Sequence, residues 1–214
     1  MAPVGATAVV KASNLRTDRC LRSSEQSACW KDCRLATRWP YLRGMVVIVM
    51  GVSGSGKSTI GQLLADRLGW SFRDGDEFHP LANVAKMRSG VPLNDEDRRP
   101  WLLAIQTFMQ KSHANGQSAV VACSALKATY RDLLLGGEPW VRFVHLHGSR
   151  ELLAQRLQAR PGHFMPPALL DSQLATLESP EDALAVEISE LPPQLVDRIV
   201  TGLGLTPKAL VENV

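Results

Sequence analysis

The chain has 214 residues, a length that suits one α/β domain with a modest extension. Its formal net charge of +3 is too small to indicate a nucleic-acid partner. No apolar run approaches the ~20 residues that a membrane-spanning helix needs. The four cysteines do not form the pattern of a disulfide framework, so the expected compartment is a reducing cytosol. These features exclude a disulfide-rich secreted protein and a helical membrane protein.

The basic excess of the chain lies in residues 1–44, which hold eight Lys/Arg and three Asp/Glu and show no steady periodicity. Three interpretations are open: a disordered tail, an Arg-rich targeting peptide, or sequence upstream of the true start. Met45 directly precedes the first convincing strand, so we favour a disordered or artefactual extension that is dispensable. A regular domain is expected over residues 45–206, with a short C-terminal tail over residues 207–214.

From Met45 onward, strand-like apolar segments alternate with helical segments. In chain order we predict a strand at 45–50, a helix at 57–68, a strand at 70–73, helices at 79–90 and 97–115, a strand at 118–123, a helix at 127–135, a strand at 141–146, a helix at 149–160, a helix ending near 178, a strand at 184–188 and a helix at 193–203. Such alternation indicates an α/β fold, a three-layer doubly wound sheet of five parallel strands. We also expect a helical acceptor-binding insertion before the third strand and a lid at 161–167.

A phosphate-binding motif fills the turn between the first strand and the first helix. It reads Gly51-Val52-Ser53-Gly54-Ser55-Gly56-Lys57-Ser58. Glycines let the backbone take positive φ and approach phosphates closely, while the turn's N–H groups and the helix N-terminus face the anion. Lys57 is expected to reach the β- and γ-phosphates and Ser58 to offer its hydroxyl to Mg²⁺, whereas Thr59 is a first-turn residue. The motif predicts ATP binding.

Two carboxylates follow the second predicted strand, in the run Asp74-Gly75-Asp76-Glu77-Phe78-His79. The carboxyl ends of parallel strands gather ligands, so this turn is expected to face the phosphate loop. One carboxylate can steer Mg²⁺ through its water shell, and the other can accept the proton of an attacking hydroxyl. We assign Asp76 to the acceptor hydroxyl and Asp74 to the metal, although the reverse order is also compatible. His79 either contacts the substrate or caps a helix.

The third predicted strand ends in a polar segment without the Asp that many P-loop enzymes place there to bind Mg²⁺. Ser124 is therefore expected to take part of that role, and Asp74 gains importance for the metal. Lys127 and Arg131 are four apart on the next helix, so they share a face that suits an anionic acceptor or, alternatively, solvent. Arg88 is a further candidate for a carboxylate or sugar-acid ligand.

Two arginines lead into the predicted lid. Arg156 and Arg160 are four apart on one helix, directly before a Pro/Gly-bounded loop. A mobile lid there would deliver guanidinium groups to the γ-phosphate and close over the base. Such a contact stabilises the charge that develops on the transferred phosphoryl oxygens. The alternative is a basic helix end that complements its own dipole.

Taken together, these residues resemble the gluconokinase family, thermoresistant type, among the P-loop kinases that are similar to shikimate and nucleoside-monophosphate kinases. The matching blocks are in family order and span most of residues 45–190; they are 50–59, 74–80, 83–101, 123–131, 160–166 and 172–178. The resemblance implies ATP-dependent phosphorylation of D-gluconate at its 6-hydroxyl, giving 6-phosphogluconate and ADP. It also implies a cytoplasmic enzyme of gluconate catabolism, often a homodimer, with ATP and Mg²⁺ as cofactors.

The resemblance also gives the site residues their expected partners. Gluconate is an anionic polyol, which needs cations for its carboxylate and hydrogen-bonding side chains for its hydroxyls. Lys127, Arg131 and Arg88 suit the first need, and Asp76, His79 and Ser124 suit the second. By analogy, Arg156 packs near adenine and Arg160 near the phosphates. Two rivals stay open: a P-loop kinase for another small hydroxy acid, and an ATP-binding switch without transfer activity.

Overall fold

Short segments of mostly apolar residues form the strands of this protein. In the computed structural model, which describes residues 43–159 and 167–208, these are β1 (Val46–Met50), β2 (Ser71–Asp74), β3 (Ala119–Ala122), β4 (Val141–His147) and β5 (Leu184–Glu187). They pair in parallel in the order β2-β3-β1-β4-β5. All five residues of β1 are buried, as expected for a central strand covered on both faces. The five-stranded parallel α/β sheet is confirmed.

Seven α-helices cover the two faces of the sheet. They are α1 (Lys57–Leu68), α2 (Leu81–Arg88), α3 (Asp95–Ala114), α4 (Ala128–Leu135), α5 (Arg150–Gln158), α6 (Pro167–Thr176) and α7 (Pro192–Gly202) among the described residues. Leu64 of α1 and Ile199 of α7 belong to the hydrophobic core on one face. Ile105 of α3 and Leu134 of α4 belong to the core on the other. No helix in the described part of the chain is long and apolar enough to cross a membrane.

The structure differs from the predicted elements at two places. α3 begins at Asp95 rather than at residue 97, because Asn94 and Asp97 form a reciprocal capping box at its N-terminus. Pro100 therefore lies inside the helix rather than in its first turn. The turn after β2 is a short 3-10 helix, Gly75–Phe78, whose N-cap is Asp74. This single turn fixes the direction of the two carboxylates predicted for the site.

Several predictions concern residues outside the described ranges. Most of the 1–44 extension, the predicted lid with Arg160, and most of the 207–214 tail fall there. The division of the chain into these segments stays a prediction.

Candidate active site

The phosphate loop, residues 51–58, connects β1 to α1 at the carboxyl end of the sheet. Gly51 has a φ of 141°, and a Cβ placed there would lie 2.4 Å from the carbonyl oxygen of Leu146 in β4. Gly56 is the N-cap of α1 in the left-handed region and provides no side-chain hydrogen bond to the first turn. The first-turn N–H groups therefore keep their donor capacity for an anion, as in other helix N-termini that bind phosphate.

Polar groups inside the phosphate loop fit a bound polyphosphate. Ser55 is fully buried, and its hydroxyl has no hydrogen-bond partner among the described residues. Lys57 folds back over the loop and donates from Nζ to the carbonyl oxygen of Val52 at 3.0 Å. A glycine-lined cradle with a lysine ammonium over its mouth and an unsatisfied buried hydroxyl matches the donor set that ATP phosphates require. The residues present thus fit ATP.

Ser58 and Asp74 meet at the edge of the phosphate loop. The hydroxyl of Ser58 donates to Oδ2 of Asp74 at 2.6 Å, while Oδ1 of Asp74 accepts from the backbone N–H of Asp76 at 3.1 Å. A hydroxyl and a carboxylate are oxygen ligands that suit Mg²⁺, which usually takes one or two protein ligands and completes its shell with phosphates and water. No cluster of three or more His, Cys, Asp or Glu suited to a metal occurs in the described part of the chain. The pair fits a phosphate-bound Mg²⁺.

The thiol of Cys123, at the end of β3, lies where the charged groups of the site converge. Burial raises the pKa of this thiol to about 12; a backbone hydrogen bond with Ala125 and the charge of Lys57 lower it by smaller amounts, and Asp76 and Asp74 raise it slightly. Cys123 is therefore a neutral thiol at physiological pH and not a nucleophile.

His79 follows the short 3-10 helix and stacks on Trp101 of α3, with ring centroids 4.4 Å apart. The indole Nε1 of Trp101 donates to the carbonyl oxygen of Gly75 at 2.6 Å. This bond anchors residues 74–78, the carboxylate turn, to α3. Burial lowers the pKa of His79 below its ordinary value, Asp76 opposes this effect and Arg98 adds to it. His79 is accordingly a neutral imidazole near Asp76 at neutral pH, able to donate or accept one hydrogen bond.

The acceptor loop, residues 124–127, follows β3 and faces the phosphate loop. The carbonyl oxygen of Ser124 accepts from the N–H of Gly51 at 3.4 Å. Lys127 is the N-cap of α4, and its ammonium contacts both carboxylate oxygens of Asp95 at 2.7 and 2.8 Å. The hydroxyl of Tyr130 also donates to Asp95. Lys127 therefore sits in a group of residues that binds a carboxylate, which here is the chain's own.

The other cationic residues predicted for the site make different contacts. Arg131 is half-buried and donates from Nη1 to the carbonyl oxygens of Ala125 and Leu126, at 3.1 and 3.0 Å, so it supports the acceptor loop. Arg88 is exposed at the end of α2. Arg156 donates to the carbonyl oxygen of Ile188 at 2.7 Å, with its Nη1 3.8 Å from the position of a Cβ on Gly56. Arg160 lies outside the described residues.

Four contact residues were absent from the predicted site: Asp95, Trp101, Gln173 and Glu178. Asp95 and Trp101 belong to the charged first turns of α3, whose residues have no local pattern that separates a site group from a solvated face. Gln173 accepts from the backbone N–H of Ser53 at 2.7 Å, and Glu178 accepts from the N–H of Ala128 at 2.5 Å. Both lie in the block 172–178 that matched the family resemblance, which was the available signal.

Comparisons with known proteins agree with this geometry. A family model described as shikimate kinase matches residues 53–199. The chain is 48% identical over 164 residues to a probable gluconokinase of Xenopus tropicalis, covering 68% of this chain and 86% of that protein. It is 52% identical over 141 residues to a gluconokinase of Gluconobacter oxydans, covering 66% of this chain and 79% of that protein.

Solved structures give the same result. A gluconokinase from Sinorhizobium meliloti superposes with a TM-score of 0.69 at 44% identity, covering 75% of this chain and 92% of that one. The chain belongs to the gluconokinase family of P-loop kinases.

Proposed function

We propose that this chain transfers the γ-phosphoryl group of ATP to the 6-hydroxyl of D-gluconate, producing 6-phosphogluconate and ADP. One observation carries the proposal: in a chain of the gluconokinase family, the phosphate loop and the carboxylate turn meet through the 2.6 Å bond between Ser58 and Asp74. This contact joins a nucleotide site to groups that can receive a hydroxyl. Phosphoryl transfer depends mainly on such positioning and on stabilisation of charge.

On the nucleotide side, the backbone N–H groups of the phosphate loop and the ammonium of Lys57 hold the phosphates. Lys57 exchanges the carbonyl oxygen of Val52, now 3.0 Å away, for phosphate oxygens. Ser58 and Asp74 would hold Mg²⁺, which when bound neutralises charge on the phosphate oxygens. Thr59 lies in the first turn of α1. Arg156 is assigned to the adenine side, and Arg160, outside the described residues, to the phosphates.

On the acceptor side, Asp76 orients the attacking hydroxyl and takes its proton. Asp76 is exposed at the turn after β2, beside the neutral imidazole of His79. A carboxylate within hydrogen-bond reach of the hydroxyl increases its nucleophilicity as the bond to phosphorus forms. His79 and Ser124 then serve the remaining hydroxyl groups of the sugar acid.

The carboxylate of gluconate is assigned to the cations near the acceptor loop. Lys127 and Tyr130 already hold the Asp95 carboxylate, so they can hold a ligand carboxylate by exchange. Arg131 acts mainly by supporting the loop through its carbonyl oxygens. Arg88 reaches the acceptor only if α2 approaches the loop in the complex.

The proposal also covers the partner, the assembly and the location of the enzyme. A small sugar acid is its partner, a homodimer is its expected assembly, and the cytoplasm is its expected location. The cysteine pattern favours a reducing compartment. Nucleic acid and membrane are not among the proposed partners.

The direct test is ADP release coupled to NADH oxidation, with gluconate, shikimate and a nucleoside monophosphate as separate acceptors. Turnover should be strong only with gluconate, and mass spectrometry should detect a phosphorylated sugar acid. Lys57→Ala should abolish transfer, while Lys111→Ala, an exposed lysine of α3, should behave as wild type. Preference for shikimate or a nucleotide would overturn the substrate assignment, and ATP binding without any phosphorylated acceptor would overturn the enzyme assignment.

A further inference from the structure

A side chain from the C-terminal half of the domain holds the phosphate loop. Oε1 of Gln173, in α6, accepts a hydrogen bond of 2.7 Å from the backbone N–H of Ser53. This N–H belongs to the turn that surrounds the phosphates, and the bond is half-buried. The position of α6 is thereby linked to the conformation of the loop that binds nucleotide.

Glu178, two residues beyond the C-terminus of α6 at Thr176, holds the acceptor loop. Glu178 accepts from the N–H of Ala128 at 2.5 Å, which caps the first turn of α4. Its own backbone N–H donates to the carbonyl oxygen of Leu126 at 2.9 Å. These two bonds fix the segment that carries Lys127 and leads from Ser124 into α4. Gln173 is therefore bonded to the phosphate loop, and Glu178 to the acceptor loop and the start of α4.

α6 is firmly packed, and Glu178 follows its last residue, Thr176, by two positions, so we expect Gln173 and Glu178 to move together. Leu170 is 2% exposed and belongs to the core beside α1 and α7. Leu177, whose N–H continues the helical hydrogen bonding by donating to the carbonyl of Gln173, packs against the cores on both faces of the sheet. The bidentate ion pair of Asp171 with Arg150 ties α6 to α5. A stiff element with contacts at two sites can transmit a shift from one to the other.

We propose that α6 couples the nucleotide site to the acceptor site, with Gln173 and Glu178 as its positioning residues. The inference rests on the proposed function, because it requires both substrates to bind this chain. Phosphates that enter the loop redirect its N–H groups, and Gln173 either follows Ser53 or releases it. Because α6 is stiff, Glu178 passes that change to the acceptor loop. Coupling of this kind is reciprocal, so each substrate raises the affinity for the other by the same factor.

Isothermal titration calorimetry on the full chain tests the coupling. The Kd of gluconate is measured alone and with saturating Mg²⁺ and adenylyl imidodiphosphate, which does not transfer its phosphoryl group. We expect the analogue to lower this Kd by about fivefold or more in the wild type, the usual lower range for coupled sites. The coupling ratio is the Kd of gluconate alone divided by its Kd in the presence of the analogue. In Gln173→Leu this ratio should fall below about twofold, with the Kd of gluconate alone unchanged. Gln62→Leu is the matched control, since Gln62 is exposed on α1 and its side chain donates to Asp66 of the same helix.

Glu178→Ala tests the contact with the acceptor loop, with Glu181→Ala, an exposed neighbour, as its control. It should also reduce the coupling ratio, and it should raise the KM for gluconate measured at saturating ATP more than it lowers kcat. A merely structural role would lower the melting temperature and leave the ratio intact. A wild-type ratio near one, or an undiminished ratio in both variants, overturns the inference. If the wild type turns over gluconate, that result leaves the proposed function standing; absence of turnover overturns both.

Discussion

Asp76 lies in the short turn after β2, two residues beyond the carboxylate that receives the hydroxyl of Ser58. The backbone N–H of Asp76 donates to Oδ1 of Asp74. Trp101 holds the same turn through Gly75. These contacts support the proposed assignment of Asp74 to the metal and of Asp76 to the acceptor hydroxyl.

Asp76→Asn is expected to lower kcat by about 10²- to 10⁴-fold, because the amide keeps the size of the side chain but accepts no proton. Binding of Mg²⁺ and adenylyl imidodiphosphate should persist, since the phosphate loop and Asp74 are intact. Coupled ADP detection and calorimetry measure the two effects. Glu77→Gln is the matched control, because Glu77 pairs with Arg73 on the surface. Equal turnover by Asp76→Asn and wild type would remove Asp76 from its assigned role.

At the scale of elements, the phosphate loop depends on contact with β4. A Cβ on Gly51 would lie 2.4 Å from the carbonyl oxygen of Leu146 and 2.9 Å from the hydroxyl of Ser55, at a φ of 141°. The glycine is thus required both by backbone conformation and by space. No rearrangement of one flexible side chain removes the clash, since the nearest atom belongs to the backbone.

Gly51→Ala should therefore destabilise the fold by about 1–3 kcal/mol, the range for strained backbone positions, and should weaken nucleotide binding. Urea unfolding and calorimetry with adenylyl imidodiphosphate are the measurements. Gly116→Ala is the control: Gly116 also has a positive φ, of 66°, but nothing lies within 4 Å of its added Cβ. Any excess loss in Gly51→Ala then reports the clash. Equal losses in the two variants would contradict the predicted role of β4.

β1 and β3 are well predicted from the sequence because they are buried on both faces and read as continuous apolar runs. The phosphate loop between β1 and α1 follows from its motif. The short helix Gly75–Phe78 was missed because its residues are equally typical of a turn. The pairing of Asp95 with Lys127 was also missed, since the two residues are 32 positions apart and only the packing of α3 beside α4 joins them.

The hydrogen bond between Gln173 and Ser53 was missed for the same reason. The two residues are 120 positions apart, and a glutamine in a helix carries no local sign of a distant backbone partner. Periodicity predicts which face of a helix is buried, but it does not predict which polar side chain reaches across to another element. For this chain, the pattern gives the strands, the helices and the phosphate loop, and tertiary packing gives the contacts that organise the acceptor side.

At the scale of the whole molecule, a buried histidine makes stability depend on pH. His145 in β4 is 8% exposed, and its Nε2 has no hydrogen-bond partner in the described part of the chain. Burial lowers the pKa of His145 from the usual 6.5 to about 4, with smaller contributions from His147 and Arg131. The unfolded chain therefore binds a proton at this residue before the folded protein does. The contribution of neutral His145 to the free energy of unfolding is fully present above pH 6.5 and is lost as the pH falls towards 4.

His145→Gln should reduce this loss because the amide does not titrate. Between pH 7.5 and pH 5, the wild type should lose up to about 2 kcal/mol more free energy of unfolding than the variant. Urea unfolding at the two pH values gives the change in the free energy of unfolding for each protein. The contributions of other titrating groups cancel when the variant's change is subtracted from that of the wild type. His147→Gln, at a half-buried position of the same strand, is the control and should keep most of the wild-type slope. Parallel pH profiles for wild type and His145→Gln would contradict the prediction.

The domain is expected to function without residues 1–42. Truncation should stop there and not at Met45, because Nδ1 of His113 donates to the carbonyl oxygen of Gly44 at 3.0 Å and the imidazole stacks on Trp140. A chain that begins at Arg43 should show kcat and KM for gluconate within about twofold of the full chain, since the phosphate loop and its core contacts are retained. Steady-state assays of both forms make the comparison. A large loss of activity would assign a function to the extension.

The strand order has a consequence for how the protein is made. Among the described strands β1 is synthesised first, but its partners are β3 and β4, which follow much later in the chain. Contacts between distant segments slow folding, because a long loop must close before they form. Until β3 emerges from the ribosome, the apolar run Val46–Met50 has no strand to pair with. The segment that carries the phosphate loop is therefore also the one most exposed to aggregation during synthesis.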